Sequence, residues 1–246
     1  MVIMLVFMLM SLWSKVSLSQ APKLVARWSL DENSGSVAND AVGDNHGKLE
    51  GGPKWVAAKF GNGLKFDTKT GQYVEIPKAP ELALADSLTV IAWVNVNSSA
   101  GRQEIFCYAD SYDIYIDNGV FKAYIHKGGA FPRATWKNAV ETDKWNFVAM
   151  TYDSKELKLY VNGAFDGIAK LPGGIDILDL PLRFGNNPAA PAEAWGISGI
   201  LDEVEIWDKP MTDEQIKQAY EDPLAFLSVS PKDDLMATWG KLKSPI

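Results

Sequence analysis

One cysteine and two histidines are all that this 246-residue chain holds of thiol and imidazole chemistry. A single thiol, Cys107, cannot close a disulfide within its own domain. It sits in Ile105-Phe106-Cys107-Tyr108 with no His or Lys beside it, which reads as a small buried hydrophobe. His46 and His126 stand far apart in the chain, so a zinc site is not expected. The same scarcity leaves no Ser/His/Asp or Cys/His arrangement for nucleophilic catalysis. No phosphate-binding loop and no dinucleotide fingerprint occur. Basic excess is missing too: 24 Lys and Arg stand against 31 Asp and Glu, a formal charge of −7. Phosphate backbones call for a basic surface, so nucleic acid is not an expected partner. No stretch rich in Pro, Gly or Ser breaks the chain before residue 222, and no internal repeat appears.

Long apolar runs are limited to the start. Met1–Trp13 is apolar and uncharged, and Ser17-Leu18-Ser19 supplies small residues for signal peptidase. The run is shorter than the ~20 residues a bilayer span needs. A signal peptide is therefore expected over residues 1–19, with the protein secreted, at the cell surface or periplasmic. No membrane span is expected after its removal.

What is present is apolar and aromatic residue in short alternating runs. Hydrophobic residues make up 47% and aromatics 11%, enough for a packed core. Ser87–Val96 is the longest run: Leu88, Val90, Ala92, Val94 and Val96 fall on one face, Ile91 and Trp93 on the other. Such a strand is covered on both faces. Leu24–Leu30, Leu64–Asp67, Tyr73–Ile76, Glu104–Ala109, Tyr112–Asp117 and Val120–His126 read as further strands. So do Trp145–Tyr152, Leu157–Val161, Ala164–Ala169, Pro181–Phe184 and Gly199–Trp207. Asp117-Asn118-Gly119 and Asn162-Gly163 are tight hairpin turns. Only Thr212–Glu221 reads as a helix: Thr212 caps it, Gln215 completes a capping box and Pro223 stops it. Many short strands without βαβ alternation give an all-β class, an antiparallel two-sheet sandwich with one short C-terminal helix. One domain is expected over residues 22–223. In the 224–246 tail, Leu235, Met236, Trp239 and Leu242 recur at helical spacing, as in a short amphipathic helix.

Several blocks carry a resemblance. They are Trp28-Ser29-Leu30-Asp31-Glu32, His46-Gly47-Lys48-Leu49 (read as a glycine turn), and Lys59 through Asp67. Leu88 through Val94, Trp145 through Asp153, and Leu159-Tyr160-Val161-Asn162-Gly163 follow. The last are Leu182-Arg183-Phe184-Gly185 and Gly199 through Trp207. In this order they resemble the laminin-G-like, concanavalin A-like lectin/glucanase family. The resemblance implies a jelly roll that recognises glycans or proteins without catalysis, and a structural Ca²⁺ where the first and last strands meet.

Those strands, paired antiparallel, would bring Asp31 near Asp202. Asn33 and Ser36 in the following turn add hard oxygen ligands, so Asp31, Asn33, Ser36 and Asp202 are the expected calcium ligands. Sugar rings stack on aromatic faces beside polar groups. Tyr108, Tyr112, Tyr124, His126, Trp136 and Trp195 are the expected ligand-binding residues, with Tyr115 and Phe131 as further aromatics and Asp110, Asp113, Lys122, Arg133 and Asn138 as polar partners. A secreted, monomeric glycan-binding module is the first expectation; an extracellular protein-interaction module is the second. The third is a glycoside hydrolase using Glu203 and Glu205. These lie two apart on a strand, roughly 6.5–7 Å between Cα atoms, near enough to flank a glycosidic bond.

Overall fold

The computed structural model describes residues 21–67, 71–191 and 194–228. The first strands are β1 Leu24–Trp28, β2 Val37–Ala38, β3 Gly47–Glu50, β4 Lys54–Ala57, β5 Asn62–Phe66, β6 Tyr73–Ile76 and β7 Leu88–Val96. The middle holds β8 Arg102–Tyr108, β9 Tyr112–Asp117, β10 Val120–Ile125, β11 Arg133–Ala139 and β12 Trp145–Tyr152. β13 Glu156–Val161, β14 Ala164–Lys170, β15 Leu182–Phe184 and β16 Gly199–Trp207 complete the strands. Two helices, α1 Asp213–Glu221 and α2 Pro223–Ser228, follow.

Alternation sorts these strands into two antiparallel sheets. The first runs β14-β13-β12-β7-β16-β5-β4, with β1 also paired to β16. The second runs β11-β10-β9-β8-β15-β6-β3-β2. Between them lies one apolar core that takes Leu88, Val90, Ala92, Val94 and Val96 from β7. The opposite face of β7 gives Ile91 and Trp93 to a second cluster with Ile216 and Ala219 of α1 and Phe226 and Leu227 of α2. The strand is thus apolar on both sides because a sheet covers one and two helices the other.

The helix begins as its sequence dictates. The Thr212 hydroxyl accepts from Gln215 N and the Gln215 side chain accepts from Thr212 N, a complete capping box. Pro223 does end α1, but it also opens α2, since proline is well suited to a first helical position. Phe226 packs against Trp207 with ring centres 5.4 Å apart, so the packed unit extends past the expected boundary at 223. The expected signal segment and the helical pattern at Leu235–Leu242 lie outside the described residues.

Two expectations are corrected. Gly47-Lys48-Leu49 is not a turn but part of β3, hydrogen-bonded to β6 through Lys48–Glu75 and Leu49–Val74. Arg133–Ala139, not among the strands read from the sequence, is the edge strand β11. Its short Ala134/Trp136 alternation is the only apolar pattern it offers, and the Asp166 carboxylate supplies what a partner strand would. Asp166 accepts Lys137 N at 2.7 Å and Asn138 N at 3.1 Å from across the gap to β14.

Candidate functional site

The outward face of the second sheet carries polar and aromatic residues where β8, β9 and β10 lie side by side. Ile114 and Ile116 point into the core, so Tyr115 points out; Ala123 and Ile125 do the same for Tyr124. A cleft of about 250 Å³ opens there, lined by Arg102, Asp110, Tyr115, Tyr124, Phe131, Arg133, Asn187, Ala189 and Trp195. Two of its aromatics are exposed: Phe131 at 37% and Trp195 at 41%.

Each wall is held in place. The Trp195 carbonyl accepts Glu104 N at 2.8 Å, which ties its loop to β8. Asn186 Nδ2 donates to Ala194 O at 2.7 Å, and its Oδ1 accepts from Arg183 Nη1 at 3.1 Å. Asn187 Nδ2 donates to Asp110 Oδ1 at 3.0 Å and to Tyr124 Oη at 3.1 Å. The Tyr124 hydroxyl donates to the same Asp110 oxygen. Burial and the Asp113 charge push that hydroxyl far above the usual phenol range, so it stays a donor. The Arg102 guanidinium is sandwiched, 4.0 Å from the Trp195 ring centre and 4.5 Å from that of Tyr115.

Beneath Arg102 lie two carboxyl groups that water does not reach. Glu104 and Asp113 are fully buried. Arg102 Nε lies 2.6 Å from Glu104 Oε1, and its Nη2 4.0 Å from Asp113 Oδ2. As bare carboxylates, Glu104 Oε2 and both Asp113 oxygens would face no donor. A proton on Glu104 supplies one. Burial, with the Asp113 charge second, raises the Glu104 carboxyl well above its ordinary value; burial pushes Asp113 up to about 6. A proton shared between the two leaves one negative charge opposite Arg102. The adjacent Cys107 is buried, and desolvation keeps its thiol protonated.

A bulge makes this arrangement. Glu104 and Cys107 are three residues apart and would face opposite sides of a regular strand. The ladder slips between Glu104 and Phe106, so Ile105 and Phe106 both enter the core and Glu104 joins Cys107 on the outward face.

Of the six expected ligand-binding residues, Tyr124 and Trp195 line the cleft. His126 stands beside it, its ring 4.9 Å from that of Phe131. Tyr108, Tyr112 and Trp136 are corrected: all three are buried between the sheets. Tyr112 donates its hydroxyl to Leu82 O at 2.7 Å, and Trp136 packs edge-on against Phe121. Each follows the phase of its strand, and an aromatic of core phase serves the core. Arg102 and Asn187 were missed. Arg102 follows Gly101 at a strand start, and its partner Glu104, two residues on and so on the same face, was the local signal for it.

The two strands expected to meet do so, with Leu24 opposite Trp207 and Trp28 opposite Val204. Asp31 and Asp202 converge on one turn. Asp31 Oδ1 accepts Asn62 N at 3.0 Å and Asp202 Oδ2 accepts Phe60 N at 2.8 Å. Gly61 between them has φ +76°, and a Cβ there would stand 2.2 Å from Asp31 Oδ1, so only glycine fits. Asn33 and Ser36 lie in the exposed part of the following loop. Among the described residues no three His, Cys, Asp or Glu side chains are grouped to hold a metal. An ion at this corner would need Asn33, Ser36 or backbone oxygens beside the two carboxylates.

Glu203 and Glu205 are corrected as a catalytic pair. Both are buried, beneath Pro223 and Phe226, in a space of about 10 Å³ that admits no sugar. Arg27, itself buried, pairs with Glu203 and lies 3.5 Å from Glu205 Oε1. Trp207 Nε1 donates to Glu205 Oε2 at 2.9 Å. The cluster is part of the seam between sheet and helices.

A family model, Laminin_G_3 of the concanavalin A-like lectin/glucanases superfamily, matches residues 67–217. No curated protein matches the sequence. Among solved structures, the binding domain of Paraclostridial Mosquitocidal Protein 1 is similar with TM-score 0.68 and 13% identity, over 82% of this chain and 52% of that one. Domain 4 of AbnA, a GH43 extracellular arabinanase from Geobacillus stearothermophilus, in complex with arabinotriose, gives TM-score 0.61 and 18% identity, over 81% and 99%. The binding domain of botulinum neurotoxin DC in complex with SialylT gives 0.63 and 15%, over 80% and 50%. The chain thus spans about half the length of the toxin domains and all but the whole of the arabinanase domain. The matched segment exceeds half the chain and the sheets superpose on these folds, so the protein belongs to the concanavalin A-like lectin/glucanase superfamily.

Proposed function

We propose that this protein is a secreted, non-catalytic glycan-binding module whose sugar sits in the cleft between Phe131 and Trp195. The observation that carries this is two exposed aromatic rings at the mouth of a cleft whose floor is polar and pinned. Aromatic faces take the C–H face of a sugar ring, and Asp110, Asn187 and Arg133 offer hydrogen bonds to its hydroxyls. The similar arabinanase domain holding arabinotriose supports the choice of a glycan. Trp195→Ala and Phe131→Ala are expected to lower retention on a glycan-array hit at least tenfold while leaving the melting temperature within a few degrees. Tyr112→Phe, a core change, is expected to cost about 1 kcal/mol of stability and leave retention unchanged. Wild-type retention by the Trp195 and Phe131 variants would remove the cleft from the proposal.

A protein partner is the second reading, favoured by Phe165 and Ile168. Both are exposed, at 46% and 47%, on the edge strand β14. Loss of a cell-surface ligand in Phe165→Ser that spares sugar binding would support it.

Calcium belongs to the proposal as an ion held by Asp31 and Asp202, helped by Asn33 and Ser36. An ion bound only by the folded chain must raise its melting temperature. Addition of CaCl₂ after EGTA treatment is expected to do so, and Asp31→Asn to abolish the rise. A flat response removes calcium and leaves the cleft untouched.

A further inference from the structure

We infer that the cleft selects a saccharide bearing an acidic group, a carboxylate or sulfate, and that Arg133 with Arg102 reads that group. This rests on the cleft being the sugar site and narrows what the sugar is. The chain has 20 lysines and four arginines. Two of the arginines line this cleft and no lysine does. A guanidinium offers a planar fork that matches an oxyanion with two parallel hydrogen bonds, which an ammonium cannot.

Both forks have unspent donors. Arg133 is exposed, and no carboxylate among the described residues forms an ion pair with it. Arg102 spends Nε on Glu104, and neither of its Nη atoms hydrogen-bonds a described residue. Stacking between Tyr115 and Trp195 fixes its plane, so little freedom is lost when a ligand docks. Placement of the donors decides the sign of the ligand. Arg102 has Glu104 and Asp113 beneath it and its Nη atoms turned to the cleft. Asp110, the lining carboxylate, is taken up by Tyr124 and Asn187 through one oxygen. Arg133, at the lip and in reach of solvent, is the lining cation with no carboxylate against it among the described residues. Another open depression, on the described surface, has the opposite character. Asp153, Glu156, Asp213 and Glu214 line it with a single Lys158. On a protein of net charge −7, an aromatic cleft that holds two of the four arginines is a selective feature and not a general attraction to polyanions.

The test uses the full-length chain in affinity electrophoresis. Polygalacturonate, alginate and hyaluronate are each run against the same polymer after carboxyl reduction, and dextran sulfate against dextran. The first three comparisons report carboxylate, the last sulfate. At least tenfold preference for one acidic form is expected, weakening as salt rises. Arg133→Gln is expected to abolish the preference and Arg133→Lys to restore only part of it. Lys158→Gln, an equal charge loss elsewhere, should change it less than twofold. Equal binding of acidic and neutral forms, or a preference that survives Arg133→Gln, overturns the inference while the glycan reading stands. Retention on none of the polymers overturns both.

Discussion

Asp113 and Glu104 are acids placed where ionisation is costly, and this makes stability depend on pH. Burial pushes Asp113 up to about 6 from 3.8, and also raises Glu104 well above its ordinary value. Glu205, desolvated under α2 beside Glu203, is pushed up to about 7. A carboxyl with a raised folded-state pKa binds its proton more tightly when folded. Its contribution is full below the unfolded value, near pH 4, and is lost as pH rises through the folded value. The melting temperature is therefore expected to fall between pH 5 and pH 8. Asp113→Asn removes one of these groups. It is expected to flatten that fall, gaining on the order of 2 kcal/mol relative to wild type at pH 8 and much less at pH 5. A pH profile parallel to wild type in urea denaturation would show that Asp113 carries no raised pKa.

Elements carry what single residues cannot. The β8 bulge gathers Glu104, Cys107, Asp113, Tyr115 and Tyr124 on one face. Asp113, Tyr115 and Tyr124 share that face by strict alternation, because β9 and β10 pair in regular register from Asp117–Val120 to Tyr112–Ile125. Alternation could not identify Glu104, whose place depends on one extra residue that no local pattern announces. The hairpin turns were legible for the opposite reason. Asn118-Gly119 and Asn162-Gly163 all adopt positive φ, and their residue types say so in advance. Tyr112 and Trp136 show the limit of composition: an aromatic in a strand looks the same from either face until the register is known. β11 was illegible because its stability comes from Asp166, 27 residues or more away along the chain. Asp166→Ala frees two backbone amides and the Asn138 side chain of a buried acceptor. It is expected to cost about 2–3 kcal/mol and to raise hydrogen exchange at Lys137 and Asn138 selectively. Unchanged exchange there would contradict the account of this edge.

At the scale of the whole molecule, one face of the sandwich is closed and the other is open. α1 and α2 seal the outer face of the first sheet, burying Trp93, Trp207 and the Arg27–Glu203–Glu205 cluster. Among the described residues, the outer face of the second sheet has no such cover over β8–β10, only the loop that brings Trp195 to its rim. The division explains why acidic pairs on the two faces differ in kind. Glu203 and Glu205 sit under helices, whereas Glu104 and Asp113 underlie an accessible cleft. It also explains why the overall jelly roll was readable from strand phase and block order, while the site depended on which face the helices chose. The most direct measurement is a crystal structure of the complex with whichever oligosaccharide the protein retains. The sugar ring is expected against Trp195 and Phe131, with its acidic group at Arg133. Density for the sugar anywhere outside this cleft, at the β14 edge for example, would contradict the account.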